Sequence, residues 1–177
     1  MSSSELESAI LIKVPEVEHL VRKYRKTLDP SEDWGVPAHV TLLYPFLSPV
    51  KIDHKVLEQL EFTIGSQSSF EIQFLRTEWF GDEVLWLSPE PALPFHELMR
   101  SLFSVFTELL PYGDANLEPT PHLTVAYRAN LKVMRDAALQ INSGLPINAS
   151  VGSVSVMTGS QMSGSWTTLA EIPLRVD

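Results

Sequence analysis

Ala38-His-Val-Thr-Leu-Leu-Tyr44 recurs further along the chain as Pro121-His-Leu-Thr-Val-Ala-Tyr127. Each stretch runs histidine, apolar residue, threonine, apolar residue, one further residue and tyrosine, and the histidines stand eighty-three positions apart. Apolar, β-branched centres flanked by proline predict strands, because proline stops the ladder at either side. Residues i and i+2 of a strand share a face, so His39 and Thr41 point one way while Val40 and Leu42 point into a core. The same alternation sets His122 and Thr124 against Leu123 and Val125.

Outward from the motifs, the two halves of the chain repeat an order. Ala9–Val14 predicts a strand, and Glu16–Leu28 an amphipathic helix with Val17, Leu20, Val21, Tyr24 and Leu28 inward and Arg22, Lys23, Arg25 and Lys26 outward. After the first motif come a helix capped by Asp53 and reaching about Ile64, then an alternating strand, Phe70–Phe80. The second half predicts a strand at Val84–Leu87, a helix from Pro94 to Leu110 stopped by Pro111-Tyr-Gly113, the second motif, and a helix over Asn130–Ser143. Ile147–Thr158 and Ser165–Leu174 then read as two strands of a closing hairpin. Ile10–Phe80 and Val84–Thr158 thus resemble an internal duplication with a His-x-Thr strand at equivalent places. The expected fold is α+β, a single domain over residues 1–177 with two pseudo-symmetric lobes, each an antiparallel sheet with flanking helices and a cleft between them.

Composition narrows the function classes. A chain of 177 residues with 44% apolar content buries a real core but has no room for two ordinary domains. A net charge of −9 argues against bulk binding to RNA or DNA, which rests on lysines and arginines displacing counterions. A single phosphate held by a few local donors remains compatible with that charge. With no cysteine, thiolate catalysis, disulfides and cysteine-ligated zinc are excluded. The polar, acidic stretch Met1–Glu7 and the lack of any run of membrane-spanning length point to a cytoplasmic protein, expected to be a monomer.

If the lobes meet about a pseudo-twofold axis, two imidazoles and two hydroxyls converge on one cleft. Cleaving a phosphodiester needs a base for the attacking oxygen and an acid for the leaving oxygen, and histidine serves as either near neutral pH. His39 and His122 are therefore the candidate acid/base pair, with no metal and no cofactor. Thr41 and Thr124 are candidate phosphate-binding donors, since a hydrogen bond to a charged oxygen is worth about 1.5–3 kcal/mol. His19, His54 and His96 read as solvated helix residues.

The paired motifs His39-Val-Thr-Leu42 and His122-Leu-Thr-Val125 resemble those of the two-histidine phosphoesterases, which include bacterial 2′-5′ RNA ligase-like proteins and cyclic phosphodiesterases. That resemblance implies opening of 2′,3′-cyclic phosphates, or cleavage or reversible joining of 2′-5′ linkages, without ATP or metal. RNA-active members usually ring the cleft with basic residues. Here the second motif is followed only by Arg128, with Arg76 on a nearby predicted strand, which favours a small nucleotide or an RNA end as partner. Arg128, Phe46, Tyr44 and Tyr127 are possible substrate contacts, although a tyrosine ending a core strand is commonly a packing residue. A binding or sensing module that keeps the phosphate cleft without turnover is the competing reading. A two-histidine metal site lacks further ligands at motif spacing.

Overall fold

Val40 and Leu123, the residues lying between each histidine and its threonine, pair with one another across two antiparallel strands, β2 (His39–Leu43) and β5 (Leu123–Tyr127). In the computed structural model, which describes residues 5–109 and 119–176, this one pairing joins two four-stranded halves into an eight-stranded sheet. The first half holds β1 (Glu7–Lys13), β2, β7 (Ser153–Gly159) and β8 (Thr167–Pro173). The second holds β3 (Phe70–Phe80), β4 (Val84–Glu90), β5 and β6 (Ile147–Val151). The strand order is β6-β3-β4-β5-β2-β1-β7-β8, with every pairing antiparallel.

Alternation along these strands divides core from cleft. Ile10, Ile12, Val40, Leu42, Leu123 and Val125 belong to the main buried cluster. Helices α1 (Glu18–Leu28), α3 (His54–Gly65), α4 (Leu93–Val105) and α5 (Leu131–Asn142) cover that face, α1 against β5 and α4 against β2. A one-turn helix, α2 (Pro30–Asp33), follows α1 directly. Ala9 and Leu11 point the other way and form a separate small cluster with Val36, Met157 and Trp166. The Asp53 carboxylate accepts from the Val56 amide at 3.0 Å, and Asn130 caps α5 by accepting from Lys132 and Val133.

Several expectations change. The halves of the chain do not correspond to the halves of the sheet: β3 joins the second lobe, while β7 and β8 complete the first. The stretch expected as one strand, Ile147–Thr158, is two, parted at Gly152, with β6 beside β3 and β7 beside β1. Arg25, assigned to the polar face of α1, is fully buried, on the same stripe as Val17, Val21 and Leu28. Helix α4 ends at Val105 and is followed by a short 3₁₀ turn, Thr107–Leu109; the expected helix end at Leu110 and its stop signal at Pro111-Tyr-Gly113 lie outside the described residues.

No helix among the described residues is long and apolar enough to cross a membrane.

Candidate functional site

An antiparallel pair has a local twofold axis, and here it passes through Val40 and Leu123. One step to either side brings His39 next to Thr124 and Thr41 next to His122, all four pointing away from the buried faces of Val40 and Leu123. All four side chains are half-buried. The sheet thus gathers on one face the two motifs that lie far apart along the chain.

Both imidazoles are held in the same way. His39 Nδ1 lies 2.8 Å from the Pro37 carbonyl, and His122 Nδ1 lies 2.8 Å from the Thr120 carbonyl, each two residues back. A carbonyl oxygen only accepts, so Nδ1 carries the hydrogen in both rings and the neutral ring keeps its lone pair on Nε2. Burial, followed by the Arg25 guanidinium, lowers the His39 pKa to about 4, against the raising effects of the Pro37 carbonyl and Asp29. Burial also lowers His122, while its bond to the Thr120 carbonyl acts the other way. At neutral pH the ligand-free site therefore holds two uncharged imidazoles, each a ready proton acceptor.

The surroundings of the two rings differ. His122 touches Phe80 edge-on at 5.1 Å between ring centres and Trp86 at 5.9 Å, and Phe80 stacks on Trp86 at 4.6 Å. Trp86 stands opposite Thr124 in the β4–β5 ladder, so both lie on the cleft face. His39 instead stands opposite Lys13 of β1. The Lys13 ammonium donates to Thr168 Oγ1 at 2.8 Å and to Glu171 Oε2 at 3.1 Å, and Glu171 also accepts from Ser153 and Ser155. Lys13, Trp86 and Phe80 escaped the sequence reading. The alternation Ala9, Leu11, Lys13 against Ile10, Ile12 places Lys13 on the cleft face, but only the β1–β2 register shows which residue it meets.

Of the further residues singled out from sequence, Tyr44 comes close. It lines a pocket of about 540 Å³ with Thr41, His122, Met99, Phe103 and Glu108. Its hydroxyl donates to Glu7 Oε2 at 2.7 Å, and burial followed by that carboxylate pushes the phenol up to about 12. Phe46 is buried in the main core, edge-on to Phe106 at 5.0 Å. Tyr127 is exposed at the end of β5, where it pairs with Val84; a bulge after Thr124 returns it to the face that carries Trp86, Thr124 and His122. Arg128 follows the end of β5 with a positive φ of 50° and pairs with Glu83 at 3.2 Å. Arg76 is held by Glu78 and Glu90. His19 and His54 are exposed, whereas His96 is half-buried. No group of three or more His, Cys, Asp or Glu side chains among the described residues is arranged to hold a metal ion.

A curled antiparallel sheet in two halves, each supplying one His-x-Thr strand to a shared face, defines the class: a two-histidine phosphoesterase. Residues 14–161 match the 2′-5′ RNA ligase superfamily, and the chain belongs to that family. Among solved structures it resembles LigT of E. coli in apo form, at 21% identity and a TM-score of 0.62, covering 97% of this chain and 99% of that one. It also resembles the protein TT0787 of Thermus thermophilus, at 19% identity and a TM-score of 0.68, with the same shares of the two chains covered. E. coli LigT complexed with 3′-AMP matches at 19% identity and a TM-score of 0.62, again over 97% and 99%. At these identities the resemblance carries the fold. No curated protein matches the sequence.

Proposed function

We propose that this protein is a metal-independent phosphodiesterase acting on a 2′,3′-cyclic phosphate or a 2′-5′ phosphodiester of a small nucleotide or RNA end. The observation that carries this reading is the matched pair of imidazoles. Both are tied through Nδ1 to a backbone carbonyl, both keep Nε2 as the working nitrogen, and a local twofold axis relates them. In such a site one Nε2 takes the proton of the attacking water while the other, as imidazolium, protonates the leaving ribose oxygen. Thr41 and Thr124 sit beside the rings where the non-bridging oxygens of a bound phosphate would lie, and their hydroxyls hold the growing charge.

The partner is a small anion. A net charge of −9 opposes a long polyanion, and Lys13, across the ladder from His39, has its ammonium paired with Glu171. The pocket beside Thr41 and His122 has the size and the mixed apolar and carboxylate lining to take a nucleoside. A nucleotide ligand is also in keeping with the family, since LigT of E. coli has been solved in complex with 3′-AMP and with ATP.

The test is hydrolysis of 2′,3′-cyclic nucleotides followed by phosphorus NMR, with His39→Ala and His122→Ala measured beside the unaltered protein. Each substitution is expected to lower turnover by about 10²–10⁴ with the far-UV circular dichroism unchanged, and a chelator is expected to leave turnover intact. Unreduced turnover in either variant, or its abolition by the chelator, refutes the mechanism.

A further inference from the structure

Arg25 is an arginine on the apolar stripe of α1, its side chain 1% exposed. A buried guanidinium is costly unless its surroundings compensate it, so its placement calls for a reason. Its Nε donates to Asp29 Oδ2 at 3.0 Å, and its Nη2 donates to Ser31 Oγ at 3.1 Å and to the Val36 carbonyl at 3.0 Å. Its Nη1 faces Glu18 Oε1 at 4.0 Å without a hydrogen bond. That same Glu18 oxygen accepts from the Ala38 amide at 2.6 Å. Val36 and Ala38 are thereby held by two side chains of one buried cluster, and between them lies Pro37, whose carbonyl accepts from His39 Nδ1.

The two motifs are unequal in this respect. The pKa of His122 is set by burial and the Thr120 carbonyl, whereas His39 also feels charged groups, Arg25 first among them. The charged groups that bear on His39 are Arg25 and Asp29 from α1 and its C-terminal end and His122 from β5, and Lys13 of β1 stands opposite it in the ladder.

We propose that Arg25 is a positioning residue for His39: from the core side it holds the Val36–Ala38 backbone whose Pro37 carbonyl orients the ring, and its charge opposes a second positive charge there. The effect on the ring is independent of the function proposed above, within which it keeps His39 able to take up a proton.

Long-range ¹H–¹⁵N correlation spectra of the ligand-free protein read the tautomer and titration of each imidazole directly. Arg25→Gln is expected to raise the His39 midpoint by about one pH unit or more. Asp29→Asn keeps an acceptor for Arg25 and Ser31 but removes the opposing charge, so it is expected to reduce the fraction of His39 imidazolium at pH 5. The His122 midpoint should stay in place in both variants. Shifts of opposite sign at His39 alone do not arise from a merely structural role. An unmoved His39, or equal movement of His122, overturns the proposal. Should Arg25→Gln fail to fold, Asp29→Asn decides by itself, an unchanged imidazolium fraction being the contrary result. These spectra need no turnover, so they separate this proposal from the proposed activity.

Discussion

At the residue scale, two histidines with the same Nδ1 tether sit in unequal fields. His39 is lowered to about 4 and His122 is lowered below the usual imidazole value near 6.5. An acid/base pair works when one ring is neutral and the other charged, which for the free protein is the interval between the two midpoints. The pH profile of kcat/KM on a cyclic nucleotide should therefore be a bell lying on the acid side of pH 6.5. Its ascending limb should fall near pH 4, where His39 gives up its proton, and its descending limb where His122 does. A maximum above pH 7 would contradict these assignments. The four motif residues were legible because the period of two along a strand is local. Lys13 and Arg25 were not: the first needs the β1–β2 register, and the second sits four and eight residues from Val21 and Val17, a spacing its charge outweighed in a hydropathy reading. Asp29, four residues further on, was the remaining signal, an ion-pair partner at helical spacing.

At the element scale, most strands and helices follow from alternation, caps and proline, and Asp53 and Asn130 cap the helices they open. What escaped is which strand lies beside which. The duplicated element order left the lobe boundaries open; β7 returns to pair with β1, and β8 pairs with β7. Neighbours so distant in sequence are chosen by matching faces, to which a linear pattern is blind. The return fixes a tight contact: a Cβ on Gly159, at the end of β7, would run into Trp166 Cγ and lie 2.6 Å from Trp166 Cα. Gly159→Ala is expected to destabilise the protein by about 1–3 kcal/mol through overpacking, read as a lower thermal midpoint. An unchanged midpoint would mean that Trp166 moves aside without cost.

At the scale of the whole molecule, the same electrostatics couples the site to stability. The unfolded chain protonates His39 as the pH falls through about 6.5, while the folded protein does not until about 4. The contribution is thus fully present above pH 6.5 and is lost as the pH falls toward 4, amounting to a few kcal/mol at most at about 1.4 kcal/mol per unit. Thermal midpoints measured between pH 7 and 4 should fall for the unaltered protein and fall less for His39→Gln. Equal slopes would show that His39 is as easily protonated in the fold as out of it.

In the function proposed above, the joining of two lobes by a single strand pairing lets the two histidines act on one phosphate rather than on two. A cycle of His39→Ala, His122→Ala and the double variant measures this directly, with turnover of a 2′,3′-cyclic nucleotide as the readout. Residues that act as a unit lose their effect together, so the double variant should turn over no more slowly than the worse single variant. Losses that multiply, or a single variant that keeps full activity, would contradict a joint site.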